Sequence, residues 1–172
     1  MDLNSIHYLY PATLYASQKP IFIHTILGSC VAICLYDPVL KFGGMNHFML
    51  PLWNGNGLAS PKYGNIAIDK LIEKLILFGS AKYNLKAKVF GGSDILSQTI
   101  NMFNIGERNI QIARKLMEDN DIQVVSSNVG GSRGRKIRFN TFTGEVTMTW
   151  INKSEALKED VIKQPVSFFK IP

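Results

Sequence analysis

The sequence predicts a single α/β domain with a largely antiparallel sheet and two main helices. The chain has 172 residues, and 46% of them are hydrophobic, which suits one sizeable core and argues against disorder. Its apolar segments change between strand-like and helix-like spacing, in the order strand, hairpin, helix, strand, helix, strand, hairpin. The sequence contains no internal repeat and no sign of a second domain.

The elements are separated by proline, glycine and asparagine, and each helix has a polar side opposite an apolar stripe. Proline within the first segment predicts an edge strand or a strand interrupted at Pro11. In order, the predictions are a strand in residues 6–16, a strand in 20–27, a hairpin around 37–44 that ends at Pro51, a surface loop in 52–63, a helix in 65–79, a strand in 86–90, a polar loop to 100, a helix in 105–120, a strand in 122–126, a loop in 128–134 and a hairpin of 137–141 with 145–151.

The first hairpin carries both cysteines and a histidine. In an antiparallel pair, the residue numbers of directly facing residues add to a constant. A turn centred near Leu40 makes that sum about 77 to 79, so Cys30 lies opposite or diagonal to His47. An odd sum places both side chains on one face, and an even sum separates them. On one face, a thiol and an imidazole can form a nucleophile and its base.

The turn before the first cysteine supports the same chemistry. Gly28 and Ser29 can expose the Cys30 side chain and direct backbone N–H groups at a developing oxyanion. Cys34 fits a small core residue instead. Four residues apart on a strand, the two Cα atoms lie about 13 Å apart, which prevents a disulfide and favours a reduced, cytoplasmic setting.

Composition excludes several other classes. The net charge of +6 suits an acidic partner, but no nucleic-acid motif accompanies it, and we expect no nucleic-acid binding. No apolar run is long enough to span a membrane, and the N-terminus does not resemble a secretory signal. The Gly-Gly-Ser-Asp stretch at 91–94 matches no nucleotide-binding pattern, and the histidines and cysteines suggest no metal site. We therefore expect no cofactor.

Five motifs in sensible order resemble one family. They are LGSC with VAICLYDP, GGMNHFMLP, KVFGGSDIL, IGERN and NVGGSRGRKIRFNTFTGEV. Together they resemble the CheD family of bacterial chemotaxis, the chemoreceptor glutamine deamidases, over roughly residues 8–150. The resemblance implies a layered α/β sandwich, with Cys30 as nucleophile and His47 as base.

The family's third catalytic residue is a threonine shortly before the cysteine. Aligned by spacing, its position falls on His24, and Thr25 lies one place later. Either Thr25 orients His47, or His24 takes over that task, or the third partner is missing. We take Thr25 as the first choice and His24 as the alternative.

Substrate contacts are predicted from two loops. Trp53 follows the histidine strand and can line a groove, although packing on its own domain is equally consistent with the sequence. In the glycine-rich turn, Arg133 or Arg135 can grip an acidic or glutamine-bearing helix. The resemblance also implies that Gly91 and Gly92 let the backbone pass close to Cys30.

The resemblance to the CheD family implies two functions of different class. The first is hydrolysis of specific glutamine side chains on the cytoplasmic helices of chemoreceptors. The alternative is a non-catalytic or dual-role adaptor that binds and regulates the chemotaxis phosphatase CheC. A papain-like protease shares the chemistry but not the local sequence around the cysteine. We assign residues 1–150 to the deamidase-like domain, and 151–172, where the composition shifts, to a C-terminal tail of unknown role.

Overall fold

The computed structural model describes residues 5–95, 104–152 and 154–155. Within these ranges the chain forms nine strands, two α-helices and a one-turn 3-10 helix at Lys82–Asn84. The strands are β1 (Ile6–Tyr8), β2 (Thr13–Ser17), β3 (Phe22–Leu27), β4 (Val31–Asp37), β5 (Phe42–His47), β6 (Lys86–Gly91), β7 (Gln123–Val129), β8 (Gly134–Asn140) and β9 (Val146–Ile151). The helices are α1 (Gly64–Leu77) and α2 (Ile105–Asp119).

The strands form two sheets. One has four strands in the order β1-β3-β8-β9, and the other has five in the order β2-β5-β4-β6-β7. The pairs β1–β3 and β6–β7 are parallel, and the remaining pairs are antiparallel. The predicted α/β domain with largely antiparallel pairing and two main helices is confirmed.

The five-stranded sheet is the middle layer of three. Both helices pack on one of its faces, where Ile33 and Leu35 of β4 meet Leu71 of α1 and Ala113 of α2. The four-stranded sheet covers the other face, and a second apolar core fills the space between the sheets. The side chains on one face of β4 lie in the core under the helices, and those on the other face lie in or near the core between the sheets. For this reason nearly every residue of β4 is buried.

The first apolar segment supplies an edge strand to each sheet. β1 lies at the edge of the four-stranded sheet and β2 at the edge of the five-stranded sheet. The chain crosses between them around Pro11, and Ala12 adopts a φ of 63° there. The predicted interruption at Pro11 is confirmed, because β1 ends at Tyr8 and β2 starts at Thr13, and the proline between them cannot donate a ladder hydrogen bond.

Both predicted helices are confirmed with near-identical limits. α1 stops because Gly79, one residue past its C-cap, has a φ of 103°. α2 starts at Ile105 because the preceding Asn104 caps it: the Asn104 side chain accepts a hydrogen bond from the Glu107 N–H at 3.2 Å.

The predicted boundaries around the glycine-rich turn were wrong. β7 continues to Val129 and β8 already starts at Gly134, so the turn is shorter than the predicted loop and Arg135 lies inside a strand. A buried arginine with internal hydrogen-bond partners occupies a position that the sequence pattern assigns to solvent. The predicted loop beyond Ile95 and nearly all of the predicted tail from 151 lie outside the described residues.

Candidate active site

The turn before Cys30 carries the chain from one sheet to the other. β3 belongs to the four-stranded sheet and β4 to the five-stranded sheet, and Gly28, Ser29 and Cys30 connect them. Cys30 therefore lies where the two sheets meet. Its side chain is 3% exposed and belongs to the core between the sheets.

The register of the hairpin places the thiol and the imidazole on one face. Cys34 pairs with Met45, and Val31 forms a bridge with Phe48, so facing residues have numbers with an odd sum. In that register Cys30 and His47 are diagonal neighbours on the face toward the four-stranded sheet. Of the two registers that the sequence left open, the structure has the odd one, with a sum of 79.

His47 is held by a threonine from the opposite sheet. The Thr25 Oγ1 lies 2.8 Å from His47 Nδ1 and 2.7 Å from the carbonyl oxygen of Leu9. A carbonyl oxygen only accepts, so the single hydroxyl proton goes to Leu9 and the hydroxyl oxygen accepts from Nδ1–H. The lone pair of the neutral imidazole then lies on Nε2, which is the form that a general base requires.

His24 lies on the other face of β3. Burial alternates along this strand, so Thr25 faces the space between the sheets and His24 faces outward. The imidazole of His24 packs edge-on against Tyr8, with 5.4 Å between ring centroids, and lines an outer cavity together with Lys136 and Arg138. The structure thus brings Thr25, and not His24, to His47.

Two glycines bring β6 against the cysteine. The Gly92 N–H donates to the Cys30 carbonyl at 2.8 Å. At Gly91, with a φ of 105°, a Cβ would collide with that same carbonyl oxygen. The predicted close passage of Gly91 and Gly92 past Cys30 is confirmed, and it depends on the absence of side chains there.

Cys34 differs from Cys30 in its surroundings. It is fully enclosed, and burial raises the pKa of its thiol strongly, although the positive charge of Lys88 opposes the shift. A thiol that stays protonated is a poor nucleophile. These features agree with the predicted role of Cys34 as a core residue.

The two candidate arginines have different environments. Arg135 is 1% exposed, and its guanidinium donates to Asn128 Oδ1, to Ser93 Oγ and to the Gly130 carbonyl. Burial lowers the pKa of this group. These hydrogen bonds give Arg135 a structural role, and its contact with a partner helix stays a prediction.

Arg133 is exposed, with its guanidinium carbon 5.1 Å from the centre of the Trp150 ring. It is the arginine that a partner can reach.

Trp53 lies in the loop that follows the histidine strand. Its indole N–H donates to the Asn56 carbonyl at 3.0 Å, and its backbone N–H donates to Asn65 Oδ1 at the start of α1. The side chain is half-buried against its own loop. The recorded bonds of Trp53 are local, and its substrate contact stays a prediction.

Sequence reasoning assigned no role to Asn109, which the structure places against the cysteine turn. Its Nδ2 donates to the carbonyls of Ser29 at 3.1 Å and of Met49 at 3.0 Å. Asn109 is 0% exposed and lies four residues after Ile105, on the apolar side of α2. A polar amide within an apolar stripe is the signal that could have identified it, because a buried amide requires hydrogen-bond partners.

Neither a metal site nor a membrane span emerges from the described parts of the chain. Among those residues, no group of three or more histidine, cysteine or acidic side chains is placed to hold a metal ion. None of the helices described there is long and apolar enough to cross a membrane.

Cysteine and histidine on one face of a hairpin, with a threonine on the imidazole, are the parts of an enzyme with a cysteine nucleophile. Comparison with known proteins narrows this class. The family profile described as CheD chemotactic sensory transduction matches residues 49–150. The chain belongs to the CheD family.

Several similar proteins are named for the same activity. A probable chemoreceptor glutamine deamidase CheD of Sulfurimonas denitrificans is 46% identical over 154 residues, covering 86% of this chain and 96% of that protein. One of the same name from Trichlorobacter lovleyi is 49% identical over 142 residues, covering 83% and 88%. A probable chemoreceptor glutamine deamidase CheD 1 of Anaeromyxobacter dehalogenans is 40% identical, covering 80% of each chain.

Proposed function

We propose that this chain is a chemoreceptor glutamine deamidase that hydrolyses glutamine side chains to glutamate. Its relatives are named for that activity and align with most of its length. The observation that carries the catalytic assignment is the Thr25–His47 hydrogen bond of 2.8 Å, formed on the face of the hairpin that also holds Cys30.

The proposed reaction begins with proton transfer from Cys30 Sγ to Nε2 of His47. The thiolate attacks the carboxamide carbon of glutamine, and the backbone N–H groups of Ser29 and Cys30 stabilise the oxyanion. His47 then gives the proton to the departing nitrogen. The nitrogen leaves as ammonia, and the acyl group stays on Cys30 Sγ as a thioester. Water, deprotonated by His47, hydrolyses the thioester to glutamate and returns the thiol.

Thr25 acts on His47 rather than on the substrate. Its hydroxyl accepts a hydrogen bond from Nδ1–H and so keeps Nδ1 protonated. Nε2 therefore carries the lone pair that accepts the thiol proton at the start of each catalytic cycle. When His47 becomes positively charged, the same hydrogen bond strengthens because its donor is then ionised. Thr25 thereby stabilises the charged intermediate state of the base.

The substrate and setting follow from the family's activity. We assign the reaction to glutamines on the cytoplasmic helices of chemoreceptors, and we therefore propose a cytoplasmic location for this protein. Residues 1–150 would form the deamidase domain, with 151–172 as an appended tail. The exposed Arg133, next to Trp150, is the proposed contact for an acidic segment of the receptor helix.

Binding to the phosphatase CheC is the alternative function. A chain that lacked the third catalytic residue would favour that alternative, whereas the hydrogen bond between Thr25 and His47 supports the enzyme. A deamidase and a non-catalytic adaptor give opposite results in one assay, whereas a dual-role adaptor would deamidate and also bind CheC.

The test is mass spectrometry of a chemoreceptor cytoplasmic fragment incubated with this protein. Each deamidation adds about one mass unit at an identifiable glutamine, because an amide nitrogen is exchanged for oxygen. We expect a gain with the native protein and with Cys34→Ala, and none with Cys30→Ala. No gain with the native protein would reject the deamidase and leave the CheC adaptor, to be examined by direct binding.

A further inference from the structure

Three consecutive carbonyl groups around the cysteine are anchored by hydrogen bonds. The Gly28 carbonyl accepts from the Ser93 N–H at 2.9 Å, and the Cys30 carbonyl accepts from the Gly92 N–H. Between them, the Ser29 carbonyl accepts from Asn109 Nδ2 at 3.1 Å. The peptide planes of the turn are therefore held by hydrogen bonds from the segment after β6 and from α2.

Fixing a carbonyl also fixes the N–H of the next residue. Every peptide bond of the described residues is trans, and in a planar trans peptide the C=O and N–H point in opposite directions. With the Ser29 carbonyl directed at Asn109, the Cys30 N–H is directed away from Asn109 and away from α2. That N–H is one of the two groups assigned to the oxyanion.

Asn109 is itself rigidly placed. It is buried within α2, and its second amide proton is used on the Met49 carbonyl at 3.0 Å. Met49 follows His47 by two residues and faces Cys30 across the hairpin register. One amide nitrogen thus connects the residue before Cys30 to the segment that follows β5, the strand of His47, and these two bonds leave the amide little freedom to rotate.

We propose that Asn109 is a positioning residue that aims the Cys30 N–H at the oxyanion of the deamidation reaction. The inference rests on the proposed function. Of the three groups that anchor the turn, Asn109 is the one that acts through a side chain, so substitution removes its hydrogen bond and leaves the backbone bonds of Gly92 and Ser93 in place. Losing an oxyanion donor typically lowers the rate of acyl transfer about 100- to 1000-fold.

The experiment compares two reactions of the same thiol. Deamidation passes through an oxyanion, whereas alkylation of Cys30 by iodoacetamide is a displacement at saturated carbon and forms none. For Asn109→Leu we expect kcat for deamidation to fall about 100-fold or more, with KM and the rate of Cys30 alkylation within about threefold of the native values.

Two further variants distinguish loss of the Asn109 hydrogen bonds from loss of side-chain packing and from loss of α2 stability. Asn109→Ala loses the same donors but leaves a cavity, so equal losses of kcat in Asn109→Leu and Asn109→Ala assign the effect to the donors. Asn104→Ala removes the cap of α2 without touching the turn, and we expect it to keep a near-native kcat.

Each remaining outcome contradicts the proposal. An unchanged kcat in Asn109→Leu would show that the Ser29–Cys30 peptide needs no side-chain anchor. A parallel loss of deamidation and alkylation would show that Asn109 keeps Cys30 itself in place rather than aiming its N–H. A native protein without deamidase activity would overturn the proposed function together with this inference, whereas an active native protein with an active Asn109→Leu variant overturns the inference alone.

Discussion

At the level of single residues, the Thr25 hydroxyl links three parts of the chain. It donates to the Leu9 carbonyl and accepts from His47, so β3, β5 and the segment after β1 meet at one oxygen atom. Thr25 is 1% exposed and His47 is 0% exposed, so water does not compete for these bonds. Low solvent access makes the hydrogen bond stronger and its loss more costly.

Replacing Thr25 with valine keeps the shape of the side chain and removes the hydroxyl. We expect kcat to fall about 10- to 100-fold, because a hydrogen bond to a group that becomes charged contributes about 1.5–3 kcal/mol. Steady-state deamidation of a receptor fragment measures the change. Thr25→Ser is the matched control and should retain most activity, and His24→Ala should stay within about twofold of native. A larger loss in His24→Ala than in Thr25→Val would reverse the assignment.

Cys34 makes stability depend on alkaline pH. Burial raises the pKa of its thiol above the ordinary 9.0, so the folded chain retains a proton that the unfolded chain releases. This contribution to stability is fully present below pH 9 and is lost as the pH rises above it. Between pH 9 and pH 10 we expect native protein to lose about 1 kcal/mol more than Cys34→Val in urea unfolding. An equal pH dependence in the two proteins would contradict the prediction.

The sequence predicts Cys30 and His47 as the reacting pair and prefers Thr25 to His24 without a geometric reason. The Gly-Ser turn marks the cysteine, but the turn after β4 leaves both an odd and an even register possible, and only the structure selects the odd one. Which of two adjacent residues faces inward depends on how β3 enters the turn between the sheets, and that angle is set by tertiary packing. The role of Asn109 likewise appears only when α2 lies against the turn.

At the level of secondary structure, β6 approaches the backbone of Cys30 closely because its last residue is glycine. Gly91 pairs with Val31 on one side and with Val129 on the other, and it lacks the Cβ that would meet the Cys30 carbonyl. The position therefore demands glycine both for its positive φ and for space.

Gly91→Ala should be more damaging than Gly131→Ala. Both glycines have positive φ, but a Cβ at Gly131 meets nothing within 4 Å. We expect Gly131→Ala to cost about 1–2 kcal/mol from backbone strain alone, with near-native kcat. Gly91→Ala should cost more than that and should lower kcat, because it pushes β6 away from Cys30. Chemical denaturation and the deamidation assay measure both effects, and equal costs would argue against a close approach.

Helices were predicted well and strand ends less well. The apolar stripes of α1 and α2 and the glycine after α1 are local signals, so their limits could be read from the sequence. The start of β8 could not, because Arg135 is polar and its partners come from three other segments. Pro11 indicates that the first segment is divided. The sequence does not indicate which strand pairs with each half.

At the level of the whole molecule, Arg135 joins the two sheets near the active site. It lies on β8 of the four-stranded sheet, and its partner Asn128 lies on β7 of the five-stranded sheet. Its other partner Ser93 also donates its N–H to the Gly28 carbonyl in the cysteine turn. A buried cation with hydrogen bonds from Nε, Nη1 and Nη2 thus supports the cysteine turn through Ser93.

Arg135→Met should destabilise the fold by about 2–4 kcal/mol, because several buried acceptors lose a charged donor at once. In a chain of this size that corresponds to a fall in Tm of roughly 5–15 °C. Arg133→Met is the matched control, and we expect its Tm to stay near native while KM for the receptor fragment rises. Thermal unfolding separates the two variants. A Tm loss in Arg133→Met as large as in Arg135→Met would contradict the division of roles.

The separation of the two thiols along β4 has a consequence for oxidative damage. Cys30 and Cys34 share one face of a strand that is paired on both sides, so their Cα atoms stay about 13 Å apart. If peroxide converts Cys30 to a sulfenic acid, Cys34 cannot reach it to form a disulfide, and further oxidation is irreversible. Repair of the enzyme must therefore come from an external thiol, which makes its activity depend on the reducing capacity of its surroundings.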